Sequence, residues 1–253
     1  MNQSRFIPSG RVIAKLDEHL SKNDYSAAKR HLLYWLSEAE QIGDNKGFLL
    51  ICNELMGLTR KLGEGEQALS FVTRALNHIE KMGIGENIGA ATTYLNSATV
   101  YKAFNKAEDA IPLFEKARMI YEQNLSADDD RLGGLYNNMA LALVDLKRFD
   151  EADKLYKKAI TVMSGIDGKE PEQAITYLNM ASAAEVQFGL EDAQELIIQH
   201  TEKAMELLDS CKDRADGDYA FACEKCATVF GYYGYFHYAE ELAQRSRRIY
   251  ERS

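Results

Sequence analysis

The chain repeats itself with a period of 42 residues, and this periodicity limits its possible folds more than any other feature. Residues 94–117 and residues 136–159 share one pattern of aromatic, small and basic positions. Self-similarity at a fixed period of about 20–50 residues is typical of stacked repeats, in which each unit packs only against its neighbours. The matched positions are Tyr94/Tyr136, Asn96/Asn138, Ala98/Ala140, Ala110/Ala152, Leu113/Leu155, Phe114/Tyr156, Lys116/Lys158 and Ala117/Ala159.

Apolar residues recur at steps of three and four along the chain, which indicates amphipathic helices. The 253 residues include three prolines, and the alternation typical of strands is scarce. We therefore predict an all-α fold, a right-handed α-solenoid of about six antiparallel helix pairs. The predicted helices span residues 11–20, 24–41, 46–62, 66–82, 87–104, 106–124, 131–146, 149–164, 171–188, 191–209, 218–231 and 235–251.

We predict a single solenoid over residues 1–253, divided into three parts. Residues 1–43 form an N-terminal cap pair, residues 44–209 the central repeats and residues 210–253 a C-terminal pair. Terminal repeats are usually atypical because one of their faces meets water. Pro112 falls past the first turn of its helix, so we expect a mild bend or a later helix start there.

Small and large residues alternate at the positions where neighbouring helices should meet. Helices approach closely only where the contact residue is small, and a large residue beside it fills the remaining space. We therefore predict that the tyrosines of the repeat pack in the core, with stacking on a substrate as the less favoured alternative. The positions concerned are Ala98, Ala110 and Ala117, beside Tyr94, Tyr101 and Phe114.

Composition and charge favour a soluble cytoplasmic protein. Apolar residues make up 46% of the chain and charged residues 27%, and no run approaches the roughly 18 apolar residues of a membrane span. Residues 1–8 contain no apolar segment, so we expect no secretory signal. Four cysteines without disulfide-framework spacing suit a reducing compartment. The net charge of −9 argues against nucleic acid or an anionic membrane as a partner.

The repeat pattern resembles the tetratricopeptide repeat. That family has a usual period of about 34 residues, and the longer period here is similar to kinesin-light-chain-type repeats and to peptide-sensing regulators of Gram-positive bacteria. The resemblance implies a helix-pair solenoid that acts as a non-enzymatic interaction module. It is carried by Tyr94, Ala98, Tyr101, Ala110, Phe114 and Ala117, and again by Tyr136, Ala140, Leu143, Ala152, Tyr156 and Ala159.

Asparagine occupies one helical position in three successive repeats, at Asn96, Asn138 and Asn179, and Asn53 lies 43 residues before Asn96. Asparagine is a mediocre helix former, so its recurrence calls for a reason. Side-chain amides both donate to and accept from a peptide backbone. In the two similar families such asparagines hold peptide backbone, and the resemblance implies the same role here. The alternative is that each asparagine caps a helix or bridges neighbouring helices.

Other residues on the same predicted face are candidate peptide contacts, namely Asn137, Thr99, Lys102 and Leu141. Lys102 is the one basic residue placed there, which disfavours recognition of acidic C-terminal tails. We expect no catalytic residue, metal or cofactor. Cys223 and Cys226 share a predicted helix face, and we predict that they pack in the core, with a metal or redox role as the alternative.

The sequence thus predicts a module that binds an extended peptide or protein segment in the concave groove formed by the first helices of the pairs. The alternative is a scaffold or regulatory protein that recognises a folded partner, or a second copy of itself as a homodimer. That alternative would use the aromatic segment of residues 230–238, although such a cluster more often seals the end of the array.

Overall fold

The structure, a computed structural model, describes residues 6–251 and shows helices without strands over that range. The predicted all-α fold of paired helices is confirmed. The helices are α1 (Ser9–Ser21), α2 (Tyr25–Ile42), α3 (Asn45–Lys61), α4 (Gly65–Met82), α5 (Ile88–Ala103), α6 (Ala107–Asn124), α7 (Asp130–Asp145), α8 (Phe149–Ser164), α9 (Glu170–Phe188), α10 (Gln194–Ser210), α11 (Gly217–Tyr232) and α12 (Phe236–Tyr250).

Capping residues set the helix ends near their predicted places. The Asp24 side chain accepts a hydrogen bond from the Ala27 backbone N–H at 2.9 Å and so caps α2. Gly43 ends α2 with φ of 72°, and Gly83 ends α4 with φ of 63°. These left-handed conformations favour glycine, which has no Cβ to clash.

Pro112 lies inside α6, which begins at Ala107, so the predicted alternative of a later helix start is wrong. The Ala110 N–H already donates to the Lys106 carbonyl at 3.1 Å, before the proline is reached. Proline removes one backbone donor from the helix. Ala110 and Phe114, on either side of it, are fully buried, and their packing keeps this stretch helical.

The chain forms two compact units, Met1–Asn124 and Leu125–Ser253. In the first unit, α3 packs against α5, and each also packs against the helix that follows it. In the second unit, α9 packs against both α7 and α11, so these three first helices form one layer. The division of a single solenoid at residues 43 and 209 stays a prediction.

Small and aromatic residues of the repeat lie in the core, as predicted. Ala98, Ala110 and Ala117 have no exposed surface, and Phe114 is also fully buried. Tyr94 and its counterpart Tyr136 are buried as well, whereas Tyr101 is partly buried. The predicted packing role of these residues is confirmed for all but Tyr101, which keeps some exposed surface.

Gly133 and Gly134 are adjacent on α7 but differ in how closely α8 approaches them, so substitutions at the two positions test the close packing of these helices. A Cβ at Gly133 would lie 2.8 Å from Met163 Cγ on α8, whereas a Cβ at Gly134 would have nothing within 4 Å. We expect Gly134→Ala to raise the free energy of unfolding by about 0.5–1 kcal/mol, because alanine is the better helix former. Gly133→Ala should be less stable than Gly134→Ala, since Met163 must move.

Urea titration of both variants measures this difference. Equal stabilisation by the two substitutions would contradict close contact of α7 with α8 at Gly133.

Candidate peptide-binding face

The predicted asparagines lie on the first helices of the pairs, in both units. Asn138 is on α7 and Asn179 on α9 of the second unit, and Asn53 is on α3 and Asn96 on α5 of the first. All four are partly buried. Each unit therefore carries asparagines on two adjacent first helices that pack together.

Asn179 and Asn137 contact each other across α9 and α7. The Asn179 side-chain amide donates to Asn137 Oδ1 at 2.9 Å. This bond uses one of the two N–H groups of Asn179 and leaves its carbonyl oxygen available. Asn137 thus joins two neighbouring helices, and a peptide-binding role for either residue stays a prediction.

Asn53 makes a similar contact in the first unit. Its side-chain amide donates to Thr93 Oγ1 on α5 at 3.2 Å. Its Oδ1 is buried without a hydrogen-bond partner among residues 6–251. An unsatisfied buried acceptor is uncommon in a folded protein, so the fold pairs the Asn53 amide only in part.

Asn96 and Asn138 differ from the other two. Within residues 6–251 neither side-chain amide makes a hydrogen bond. Both retain their full donor and acceptor capacity on a packed helix surface. They are therefore the two asparagines of the predicted set that the fold itself does not use.

The remaining predicted contacts are also partly buried on the first helices. Lys102 lies in the last turn of α5 and Leu141 on α7. Thr99 donates its hydroxyl to the Leu95 carbonyl at 2.9 Å, within α5. Glu54 follows Asn53 in the chain, and the repeat pattern did not indicate it. Its pKa is raised, mainly by burial and to a smaller extent by the negative charge of Asp17.

The aromatic segment of residues 230–238 divides between core and surface. Phe230 is fully buried, and the Tyr235 hydroxyl lies 3.1 Å from Thr201 Oγ1. Tyr232 and Phe236 are 68% and 73% exposed. The segment both seals part of the last helix pair and leaves two large aromatic side chains in solvent.

Two tyrosines at the end of α11 hold a carboxylate of α9, which sequence reasoning missed. The Tyr232 hydroxyl donates to Glu185 Oε1 at 2.6 Å, and the Tyr233 hydroxyl donates to Oε2 at 2.9 Å. The repeat pattern does not predict this contact with Glu185, because the two tyrosines lie at a helix end and not at the periodic positions. The pair ties the end of α11 to α9.

Cys223 and Cys226 are buried on α11, with 0% and 1% of their surfaces exposed. They pack beside Leu178, Phe230 and Leu242 in one hydrophobic cluster. Cys223 follows Ala181 by 42 residues and thus occupies a small packing position of the repeat. Burial raises the pKa of both thiols. Residues 6–251 contain no group of three or more potential metal ligands.

Family models match two stretches of the chain. Residues 53–123 and residues 133–163 each match a tetratricopeptide repeat model. The predicted resemblance to the tetratricopeptide repeat is therefore confirmed in these two stretches. Proteins with such repeats generally mediate protein–protein interaction and are typically not enzymes. No curated protein matches the chain.

Solved structures share the fold. BtubC (BKLC) of P. vanneervenii is 19% identical, with 90% of each chain covered and a TM-score of 0.60. A Podosopora anserina protein, described as a kinesin light chain with nearly identical TPR-like repeats, is 17% identical with a TM-score of 0.54. The match covers 79% of this chain and 94% of that one. Among residues 6–251, no helix has the length and apolar character needed to cross a bilayer.

The cysteines give a direct test of the packing account. Burial raises the pKa of Cys52 to about 12 and that of Cys211 to about 11. Because the thiolate is the reactive form, we expect slow labelling of the native protein by a disulfide reagent at pH 8. Cys211 should react first, since it is partly exposed, and all four thiols should react quickly after unfolding.

The variant Cys211→Ser serves as the control, and its native state should lose the earliest labelling phase. Rapid native labelling of Cys223 or Cys226 would contradict their packing role.

Proposed function

We propose that the protein is a non-enzymatic interaction module that binds an extended peptide segment of a partner protein along its first helices. Asn96 and Asn138 are the proposed main contacts to the peptide backbone, with Asn53 and Asn179 beside them. The concave surface of stacked helix pairs is lined by first helices and is the usual binding surface of such arrays.

The observation that carries this proposal is the unused amide of Asn138, next to the paired Asn137 and Asn179. An amide with free donor and acceptor can pair with one peptide unit of an extended chain, whatever its side chains. Leu141, one helical turn further on, supplies apolar surface for a side chain of the same peptide. In the first unit, Lys102 on α5 would contact a peptide held by Asn96.

A second candidate is recognition of a folded partner, or of a second copy, through the aromatic end of the chain. The exposed side chains of Tyr232 and Phe236 favour it, because large solvent-exposed aromatics are enriched in interfaces. In this case the protein would act as a scaffold or regulatory protein, and recognition of a second copy would make it a homodimer. For both candidates we propose a cytoplasmic location, because the four free cysteines suit a reducing compartment.

Asn138→Ala tests the first candidate. A peptide selected from a random library on the wild-type protein provides the probe. Loss of one or two hydrogen bonds should weaken its binding about five- to tenfold, measured by fluorescence anisotropy. Helix content should not change, since the amide makes no bond within residues 6–251.

Asn124→Ala is the matched control, because Asn124 lies in the last turn of α6 and its side chain bonds, within residues 6–251, only to the Ile120 carbonyl, at 2.8 Å. Unchanged affinity in Asn138→Ala would count against the proposed face.

Phe236→Ser tests the second candidate by sedimentation equilibrium. If the aromatic end joins two copies, the substitution should convert a wild-type dimer to monomers, because 73% of this side chain is exposed in the isolated chain. Met119→Ser, at another exposed apolar residue, should leave the dimer intact. A monomeric wild-type protein would exclude self-association through this end.

A further inference from the structure

A cleft of about 270 Å³ lies among α8, α9 and α10 of the second unit, and the peptide-binding proposal does not use it. Tyr156 forms part of its wall, with apolar side chains around it and two carboxylates on the α8 side. The lining residues that matter are Phe149, Asp150, Asp153, Tyr156, Leu196 and His200.

The cleft lies where the repeat is extended. Helix α9 has 19 residues and α7 has 16, and residues 189–193 separate α9 from α10. The added turn and the connection expose Val186, Phe188 and Leu190, each by about half of its surface. Of these three, Phe188 lines the cleft, and exposed apolar side chains at a cleft are typical of binding sites.

The Tyr156 hydroxyl is a buried polar group that the fold does not satisfy. The side chain is 1% exposed, and its hydroxyl has no hydrogen-bond partner among residues 6–251. The equivalent position of the preceding repeat is Phe114, so packing alone requires only the ring. A buried hydroxyl without a partner is costly, and its presence here indicates a ligand that can pair with it.

The charges around the cleft favour a cationic ligand. Asp150 is exposed in the first turn of α8 and forms no ion pair among residues 6–251. Asp153 is paired with Lys157 at 2.7 Å. Burial, which is the largest effect, lowers the pKa of His200, so this ring is uncharged near pH 7. Asp150 therefore leaves an unbalanced negative charge at the cleft.

We propose that this cleft binds an arginine side chain of a partner protein. The aliphatic stem packs against Leu196, and the planar guanidinium stacks on Phe149. Its N–H groups donate to the Asp150 carboxylate and, after the side chains that cover it shift, to the Tyr156 hydroxyl oxygen. Arginine fits better than lysine because its five donors lie in a fixed plane and can reach two acceptors at once.

The test uses the full chain and the probe peptide acetyl-Gly-Ala-Arg-Ala-Gly-amide. Its citrulline counterpart keeps the shape of arginine but lacks the positive charge. Saturable shifts of the Met180 methyl signal, whose residue lines the cleft, report binding in NMR titrations. We expect the citrulline peptide to bind about fivefold or more weakly, since charge-assisted hydrogen bonds are the stronger ones.

Two variants locate the contacts, and two others serve as controls. Tyr156→Phe should weaken arginine-peptide binding about three- to tenfold while folding normally, because phenylalanine stands at the equivalent position. Asp150→Asn should weaken it about two- to fivefold. Asp213→Asn makes the same charge change at an exposed residue outside the cleft lining, and Asn138→Ala alters the peptide-binding face; neither should affect this binding.

The proposal is overturned if the Met180 signal does not respond to the arginine peptide, or if the citrulline peptide binds equally well. Equal affinity of Tyr156→Phe and the wild-type protein would also overturn it. Because Asn138→Ala acts on another face, failure of the peptide-binding proposal gives a different result from failure of this one.

Discussion

Close contact between helices at small residues is the constraint on which the rest of the structure depends. Helices can approach only as far as the side chains between them allow, and a larger residue at such a site forces the pair apart. One position of close helix contact carries a small side chain in each of four successive first helices. Each of these side chains is at most 1% exposed. The residues are Ala98, Ala140, Ala181 and Cys223.

The same constraint leaves the other face of the first helices free to carry function. Asn96, Asn138 and Asn179 each lie two residues before a small packing position, and Phe221 holds this place on α11. Phe221 is 49% exposed, so the position accepts an amide or an aromatic ring without disturbing the core. The proposed interaction face can therefore change its chemistry from one helix to the next while the fold is maintained.

The helices could be predicted from the sequence because periodicity and capping are local signals, as at Asp24 and Gly83. The sequence left open whether Pro112 bends α6 or delays its start, because the buried neighbours that keep this stretch helical are not a local signal. The Asn137–Asn179 bond joins residues 42 positions apart and depends on side-chain orientation, which a repeat pattern does not specify. For the same reason, the unpartnered hydroxyl of Tyr156 became visible only in the packed structure.

The central claim is that unused asparagine amides on the first helices hold the backbone of a partner peptide. A crystal structure of the protein purified from its own host tests this most directly. The account predicts extended peptide density within hydrogen-bond distance of the Asn138 side chain in the second unit and of the Asn96 side chain in the first, and mass spectrometry can identify the bound peptide. A first-helix face without bound peptide, together with Tyr232 and Phe236 buried between two copies, would contradict it and favour a self-associating scaffold.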